Sequence, residues 1–138
     1  MMIIDLPYPP TVNTYWRQHQ GRTLISRKGR AYRGQVKLAV LDQIGRPEPL
    51  QGRLRMKITA FMPDKRRRDL DNLCKGILDC LQHAGVYRDD QQIDDLRLIR
   101  GPVSPPGKVT VELRDIELRR DPDTGAWRPL AKPGERTR

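Results

Sequence analysis

The stretch "RLRMKITAFM" (Arg53–Met62) carries the clearest structural pattern in the chain, because apolar and polar residues alternate along it. The apolar positions are Leu54, Met56, Ile58 and Ala60, and the polar positions between them are Arg55, Lys57 and Thr59. A period of two places successive side chains on opposite faces of a β-strand. We therefore predict a strand with one buried face, in a sheet that is covered on one side.

A basic run and a helical pattern follow this strand. "PDKRRR" (Pro63–Arg68) ends the alternation, and apolar residues then recur at intervals of three and four between Leu70 and Ala84. Gly85 directly after this segment is a typical helix stop. The predicted apolar stripe of the helix consists of Leu73, Ile77, Leu78, Leu81 and Ala84.

Upstream of Arg53 the sequence predicts one strand, one long loop and one helix. Met2–Leu6 is a short strand that "PYPP" stops. Thr11–Arg30 has no sustained periodicity and is predicted to be a polar, basic surface loop. Ser26 is expected to cap a helix that runs to about Ile44, where Gly45 ends it.

Downstream, the polar segment "YRDDQQIDD" (Tyr87–Asp95) is predicted to be a turn. Leu96–Arg100 and Lys108–Asp115 are predicted strands, joined in a hairpin by "GPVSPPG". The order β-α-β-α-β-β favours an α+β fold with a small mixed or antiparallel sheet and two helices packed on one face. Residues 1–118 would form one domain, and residues 119–138 a mobile, basic C-terminal tail rich in Pro and Gly.

The charge of the chain indicates an acidic partner. Its 138 residues suffice for one domain and contain 27 Lys and Arg against 17 Asp and Glu, a formal net charge of +10. Most of the cations are arginine, which suits bidentate phosphate contacts, so nucleic acid is the first partner to expect. No apolar run is long enough to span a bilayer, and a cytoplasmic protein without a membrane partner is therefore expected.

Two carboxylates end the densest positive run of the chain. In "DKRRRDLDNLCK" (Asp64–Lys75), Asp69 and Asp71 follow the basic run directly. In a purely structural role, one of them caps the helix and both favour the positive end of its dipole. That role does not account for a second acidic cluster, "DDQQIDD", after the helix. Acids inside a phosphate-binding surface are most easily explained by a divalent cation between the protein and the phosphate.

Magnesium suits such an arrangement, because it takes oxygen ligands and usually keeps several waters. Asp69 and Asp71 can converge on one ion, and Asp89 or Asp90 would supply a third ligand after the helix. Lys75 lies one helical turn after Asp71, where it either forms an ordinary surface ion pair or offsets charge on a bound phosphate. Spacing alone leaves two interpretations open, a metal-dependent nuclease and a basic binding protein with a structural acidic cluster.

Longer motifs resemble the RusA family of Holliday junction resolvases, small endonucleases that prophages often carry. "LPYPPTVNTYWR" and "GRTLISRKGRAYR" are similar to the N-terminal part of the family, and "MPDKRRRDLDNLCKGILDCLQHAGVYRDDQQIDDLRL" is similar to its core signature. The likeness covers most of residues 3–113. It implies a homodimer that binds a four-way DNA junction and nicks two opposing strands, with Mg²⁺ as cofactor and Mn²⁺ as a substitute.

The resemblance also implies roles for individual residues. Asp69, Asp71 and Asp90 match the metal-binding catalytic aspartates of the family, and Lys75 matches its catalytic lysine. The predicted DNA contacts combine motif positions beside them with the N-terminal basic segment: Arg66, Arg67, Arg68, Asn72, Asn13, Tyr15, Trp16, Arg17, Arg22, Arg27, Lys28 and Arg30. For Tyr15 and Trp16 two roles are open, stacking on unpaired bases or covering a small core.

We therefore expect a metal-dependent endonuclease that resolves four-way junctions in DNA recombination and repair, in the cytoplasm and associated with the nucleoid. The main alternative is a non-catalytic protein that binds junctions or duplex DNA, in which the acids only cap and orient a basic helix. A nuclease that processes structured RNA is a third hypothesis.

Overall fold

A computed structural model describes residues 1–116 and 118–129 of the chain. In chain order the elements are β1 (Met2–Pro7), α1 (Val12–Tyr15), β2 (Trp16–His19), β3 (Arg22–Ile25), α2 (Arg27–Ile44), β4 (Arg53–Phe61), α3 (Asp71–His83), β5 (Ile93–Arg100), β6 (Lys108–Ile116), β7 (Leu118–Arg120) and β8 (Trp127–Pro129). A short 3₁₀ turn, Asp90–Gln92, precedes β5.

Four strands form the main sheet in the order β1-β6-β4-β5. The β4–β5 pair is parallel, whereas β6 pairs antiparallel with both β1 and β4. A parallel pair needs a crossover connection, and α3 lies within that connection between β4 and β5. The predicted α+β class with a mixed sheet is confirmed.

The core lies on one face of the sheet, as the alternation in β4 predicts. The four alternating apolar residues Leu54, Met56, Ile58 and Ala60 are at most 2% exposed, while the polar residues between them are half-buried on the opposite face. α2 and α3 cover the buried face, and α2 packs against β1 and α3. Their buried apolar side chains are Tyr32, Val36 and Val40 from α2 and Leu73, Ile77 and Leu81 from α3.

The ends of α2 follow from local chemistry. The Ser26 hydroxyl accepts a hydrogen bond from the Gly29 amide at 3.0 Å, which satisfies one of the unpaired donors at the helix start. At the other end, Gly45 has φ 78°, a conformation that favours glycine. The predicted boundaries of this helix are confirmed.

The prediction of one long surface loop over Thr11–Arg30 is wrong. This segment contains α1 and a hairpin of two four-residue strands, β2 and β3, and α2 begins within it at Arg27. The hairpin turn consists of Gln20 and Gly21, with φ 50° and 75°. Two successive residues with positive φ match the twist of a two-residue hairpin. The pattern missed it because most side chains of these short strands are exposed and no alternation marks them.

The predicted hairpin between the last two strands of the domain is also wrong. β5 and β6 do not pair, because β4 lies between them and hydrogen-bonds to both. Periodicity identifies a strand but does not identify its neighbour. β5 also begins earlier than the predicted start at Leu96, since Asp94 and Asp95 pair with Arg53 and Arg55 of β4 and continue the strand.

The C-terminal segment begins with a small hairpin. β7 and β8 pair antiparallel, from Leu118 opposite Pro129 to Arg120 opposite Trp127. The tail predicted over residues 119–138 extends into 130–138, which lie outside the described residues. In the part of the chain that is described, no helix is long and apolar enough to cross a membrane.

Candidate active site

Asp69 and Asp71 lie where the basic run meets α3. Asp69 precedes the helix and Asp71 is its first residue, and both side chains are exposed. The residue at the N-cap position is Leu70, and no side chain caps this helix end. The structural role in which one aspartate caps the helix is therefore wrong. Asp71 still lies in the first turn, where a negative charge is favourable to the helix dipole.

Asp90 follows α3 in the 3₁₀ turn. Its backbone amide donates a hydrogen bond to Oε1 of Gln82 on α3 at 3.0 Å. Asp89, one residue earlier, is used differently, because its carboxylate caps the turn and accepts a hydrogen bond from the Gln91 amide at 3.0 Å. Of the two candidates for a third ligand, Asp90 is the one whose carboxylate is left without a protein partner among the described residues.

Asp71 lies on the side of α3 that faces the turn containing Asp90. Asp71, Cys74, Leu78 and Gln82 form a stripe at helical spacing, and Gln82 contacts the Asp90 backbone. The thiol of Cys74, in the first turn of α3, is half-buried. Burial raises its pKa, the Lys75 ammonium lowers it, and the negative charges of Asp71 and Asp90 raise it further. The Cys74 thiol is therefore within electrostatic range of both carboxylates.

The three predicted metal ligands do not form a ready-made cluster in the single chain. Within residues 1–116 and 118–129, no group of three or more His, Cys, Asp or Glu side chains is arranged to hold a metal ion. The donor chemistry nevertheless fits Mg²⁺, which prefers carboxylate oxygens and needs only one or two of them because it keeps several waters.

Four carboxylates of the described chain contrast with this set, because each is paired with an arginine. The four arginine-paired acids are Asp64 with Arg68, Asp79 with Arg33, Asp94 with Arg53 and Asp95 with Arg55. By comparison, Asp69, Asp71 and Asp90 have no side-chain hydrogen bond or ion pair with any described residue. The site thus keeps three carboxylates available to a ligand on a strongly basic protein.

Lys75 is exposed on α3, one turn after Asp71. The surface ion pair considered between these two residues does not form, since no carboxylate of the described chain lies within ion-pair distance of the Lys75 ammonium. Its charge is available to a bound anion.

The basic run before α3 combines exposed and anchored arginines. Arg66 and Arg67 are exposed. The Arg68 guanidinium is bound to Asp64, and Arg100 at the end of β5 donates to the Arg68 carbonyl at 2.6 Å. These bonds fix the backbone directly before Asp69. The other predicted contact here, Asn72, is half-buried in the first turn of α3.

A second, mostly basic surface consists of Asn13 on α1, the β2–β3 hairpin and the first turn of α2. Its exposed members are Asn13, Arg17, Arg22, Arg27, Lys28 and Arg30. Trp16, at the start of β2, is half-buried and contacts the Tyr15 ring edge to face, with 4.8 Å between ring centroids. The structure therefore places the predicted cations of this segment on the protein surface and leaves Trp16 partly exposed.

The prediction that Tyr15 contacts DNA is wrong, because Tyr15 is buried. Its side chain is 0% exposed and packs against Gly76 of α3, so it belongs to the core, the other role that the sequence left open. Its hydroxyl donates to Asp79, and Arg33 donates to the same carboxylate through Nε and Nη2 at 2.9 and 2.7 Å. Burial is the main reason why the pKa of Tyr15 is raised far above its usual value.

Two features of the site were missed in the sequence. Tyr15, Arg33 and Asp79 tie α1, α2 and α3 together, and the only sequence signal was that Asp79 lies one turn after Lys75 on the same helical face. Gln92 holds the loop around Asp90, and nothing in the polar run "DDQQIDD" distinguished it from its neighbours.

Comparison with known proteins gives one consistent result. Residues 7–114 match the family described as Endodeoxyribonuclease RusA. The chain is 46% identical over 112 residues to the crossover junction endodeoxyribonuclease rusA of Enterobacteria phage HK97, covering 81% of this chain and 92% of that protein. It is 42% identical over 117 residues to crossover junction endodeoxyribonuclease RusA of Escherichia coli strain K12, covering 82% and 93%. This chain belongs to the RusA family of endodeoxyribonucleases.

Proposed function

We propose that this protein is a Mg²⁺-dependent endodeoxyribonuclease that cuts four-way DNA junctions by paired, symmetric nicks. Relatives that are 42–46% identical are named crossover junction endodeoxyribonucleases. The observation that carries the proposal is that Asp69, Asp71 and Asp90 keep carboxylates without a protein partner in the described chain, although the protein has a net charge of +10.

Asp69, Asp71 and Asp90 would hold the Mg²⁺, and Mn²⁺ would substitute for it. A divalent cation there would activate water and neutralise charge on the scissile phosphate. Among the described residues these acids are unpaired, whereas Asp64 is bound to Arg68 and its pKa is lowered to about 2, first by that hydrogen bond and then by the Arg66 amide. A carboxylate that is bound to arginine must give up those hydrogen bonds before it can bind a metal ion. An unpaired carboxylate has no such cost.

Lys75 would stabilise the negative charge that develops on the phosphate. Its ammonium has no acidic partner in the described chain and projects from the same helix as Asp71. A cation that is already in place when charge develops lowers the barrier without reorganisation.

The two basic surfaces would bind the DNA backbone. Arg66 and Arg67 lie beside the candidate site, and the hairpin with the start of α2 presents Arg17, Arg22 and Arg27. Phosphate contacts of this kind give affinity without sequence preference. Trp16, which is partly accessible, would stack on an unpaired base.

We further propose that the active species is a homodimer. A four-way junction has two-fold symmetry, and two symmetric nicks require two active sites related in the same way. A dimer of identical chains provides that relation.

Cleavage of a labelled synthetic four-way junction tests the proposed function. The wild-type protein is incubated with the junction in Mg²⁺, in Mn²⁺ and in EDTA, beside Asp71→Asn. We expect paired nicks that require both the metal and Asp71, while Asp71→Asn still binds the junction.

The same assay separates the alternatives. Binding of the junction without cleavage in either metal would support a non-catalytic DNA-binding protein. Faster cleavage of a structured RNA of matched length than of the DNA junction would support an RNA-processing nuclease.

A further inference from the structure

Gln92 is the one buried polar or charged residue in the described part of the chain, with 6% of its surface exposed. Burying an amide side chain is unfavourable unless its hydrogen bonds are replaced. Gln92 lies in the 3₁₀ turn that contains Asp90. Its contacts therefore bear directly on how that turn is held.

The Gln92 side chain makes four hydrogen bonds, all to the backbone. Oε1 accepts from the amides of Arg88 and Asp89, each at 2.9 Å. Nε2 donates to the carbonyls of Leu50 and Gly52, also at 2.9 Å each. An amide has two donors and an oxygen with two lone pairs, so Gln92 uses its full capacity. Amides on one side and carbonyls on the other also define the orientation of the group.

These bonds join two segments that are distant in sequence. One is the loop Arg88–Asp89 directly before Asp90, and the other is the segment Leu50–Gly52 that leads into β4. On the opposite side, Gln82 of α3 accepts from the Asp90 amide at 3.0 Å. The backbone at Asp90 is held between the start of the central strand and α3, while its carboxylate stays unpaired among the described residues.

We propose that Gln92 is a positioning residue that places the Asp90 carboxylate for metal binding, and that Gln82 shares this task. The inference rests on the proposed function, in which Asp90 is a Mg²⁺ ligand. Neither glutamine touches the metal or the substrate in this account. Each acts through the backbone of the 3₁₀ turn, as groups that orient metal ligands do.

The test measures metal binding by the folded protein and does not depend on cleavage. Mn²⁺ is titrated into the full chain without DNA and followed by electron paramagnetic resonance, for wild type, Asp90→Asn, Gln92→Asn and Gln82→Ala. We expect Gln92→Asn and Gln82→Ala to weaken Mn²⁺ binding by about tenfold, the scale typical of groups that orient ligands. Gln82→Glu keeps an oxygen acceptor for the Asp90 amide and should bind Mn²⁺ at least as tightly as wild type.

Matched controls separate positioning from a general loss of structure. Gln91→Ala changes an exposed glutamine of the same turn and should leave Mn²⁺ affinity unchanged. Thermal unfolding in EDTA shows which variants are folded. If Gln92→Asn is unfolded, Gln82→Ala decides the question, because Gln82 is exposed on α3 and its replacement leaves the core intact.

The outcomes distinguish this inference from the proposed function. Wild-type Mn²⁺ affinity in a folded Gln92→Asn and in Gln82→Ala, with weakened binding in Asp90→Asn, would overturn the positioning role and leave the metal site standing. No Mn²⁺ binding by the wild-type chain, or no effect of Asp90→Asn, would contradict both.

Discussion

The carboxylates of this protein differ in what their oxygen atoms contact, and that difference indicates their roles. Asp64 accepts hydrogen bonds from Arg68 and from the Arg66 amide, which lower its pKa to about 2. It is therefore ionised and bound to arginine at neutral pH. Asp71, a few residues later, has no such partner among the described residues. Asp64 therefore stabilises the loop before α3, whereas the Asp71 carboxylate is available to a cation.

Lys75→Gln should separate catalysis from binding. We expect the cleavage rate of bound junction to fall by about 100-fold, because a preorganised positive charge is lost beside the phosphate. Affinity for the junction in EDTA should fall only by the amount expected when about one phosphate contact is lost. Single-turnover cleavage and fluorescence anisotropy measure the two quantities.

Lys37→Gln, an exposed lysine on α2, is the matched control for that variant. It should cut at the wild-type rate. If Lys75→Gln weakened binding but cut bound junction as fast as wild type, the catalytic role of Lys75 would be wrong.

The sequence was informative about the residues of the site because their spacing is regular. Asp69, Asp71 and Lys75 occupy one helix start, so the pattern placed them together. The choice between Asp89 and Asp90 was not open to spacing, because it depends on which carboxylate the turn itself uses, and Asp89 caps that turn. Tyr15 was ambiguous for a similar reason, since an aromatic ring beside cations suits both a core and a binding surface.

A partly buried ion pair, Arg33 with Asp79, joins α2 to α3 beside their apolar contact. Asp79 accepts hydrogen bonds from the Tyr15 hydroxyl and from two nitrogens of Arg33. The side chains of Arg33 and Asp79 are each 25% exposed, so water replaces these bonds poorly. This group connects α1, and with it the basic hairpin, to the helix that carries Asp71 and Lys75.

Asp79→Asn should lower the free energy of unfolding by about 1–3 kcal/mol, because it leaves Arg33 without its charged partner. Urea denaturation measures this change. Asp94→Asn breaks a more exposed pair with Arg53, which solvent screens, and should lower the free energy of unfolding by clearly less than Asp79→Asn does. Equal losses in the two variants would contradict a special role for the Tyr15–Arg33–Asp79 group.

Two glycines of α2 provide a second matched comparison. A Cβ atom at Gly29 would lie 2.5 Å from the Tyr15 carbonyl oxygen, whereas at Gly34 it would meet no atom within 4 Å. Gly34→Ala should therefore raise the free energy of unfolding by up to about 1 kcal/mol through helix propensity. Gly29→Ala should lower it by about 1–3 kcal/mol, because the backbone must move. Stabilisation of both variants in urea denaturation would show that α1 is not packed against α2 as described.

The strands and helices of the core were predictable because burial on one face imposes a period on the sequence, as in β4 and α3. Their pairing was not. β6 pairs with β4 and not with β5, its neighbour in sequence. This long-range pairing leaves no local pattern in the sequence. The β2–β3 hairpin escaped prediction because its strands are short and mostly exposed, so that its one local signal was the turn at Gln20 and Gly21.

The whole molecule combines a positive surface with an acidic site. The positive surface should determine DNA affinity, and the acidic site should determine the cleavage rate. Its net charge of +10 attracts DNA at long range and without sequence preference. The exposed arginines that would contact DNA lie on the hairpin, at the start of α2 and in the run before α3. Binding should therefore depend strongly on salt, and cleavage should depend on the acids and the metal.

Arg22→Gln should reduce the slope of log affinity against log salt concentration by about one unit, because one phosphate contact is lost. Fluorescence anisotropy of a labelled junction in EDTA, between about 50 and about 200 mM salt, measures the slope. Arg46→Gln, an exposed arginine outside the predicted DNA-binding surfaces, is the control and should leave the slope unchanged. Equal slopes for both variants would mean that the hairpin does not contact DNA.

Asp69, Asp71 and Asp90 differ from the arginine-paired acids in the role we propose for them, which is to form a catalytic metal site. The most direct measurement is the single-turnover rate of junction cleavage in Mg²⁺ for the Asn variants of these three residues and for Asp94→Asn. We predict that each of the three variants loses at least about 100-fold in rate while still binding the junction, and that Asp94→Asn cuts as fast as wild type. Cleavage by Asp71→Asn at the wild-type rate, or a loss of the same size in Asp94→Asn, would contradict a catalytic metal site at these three residues.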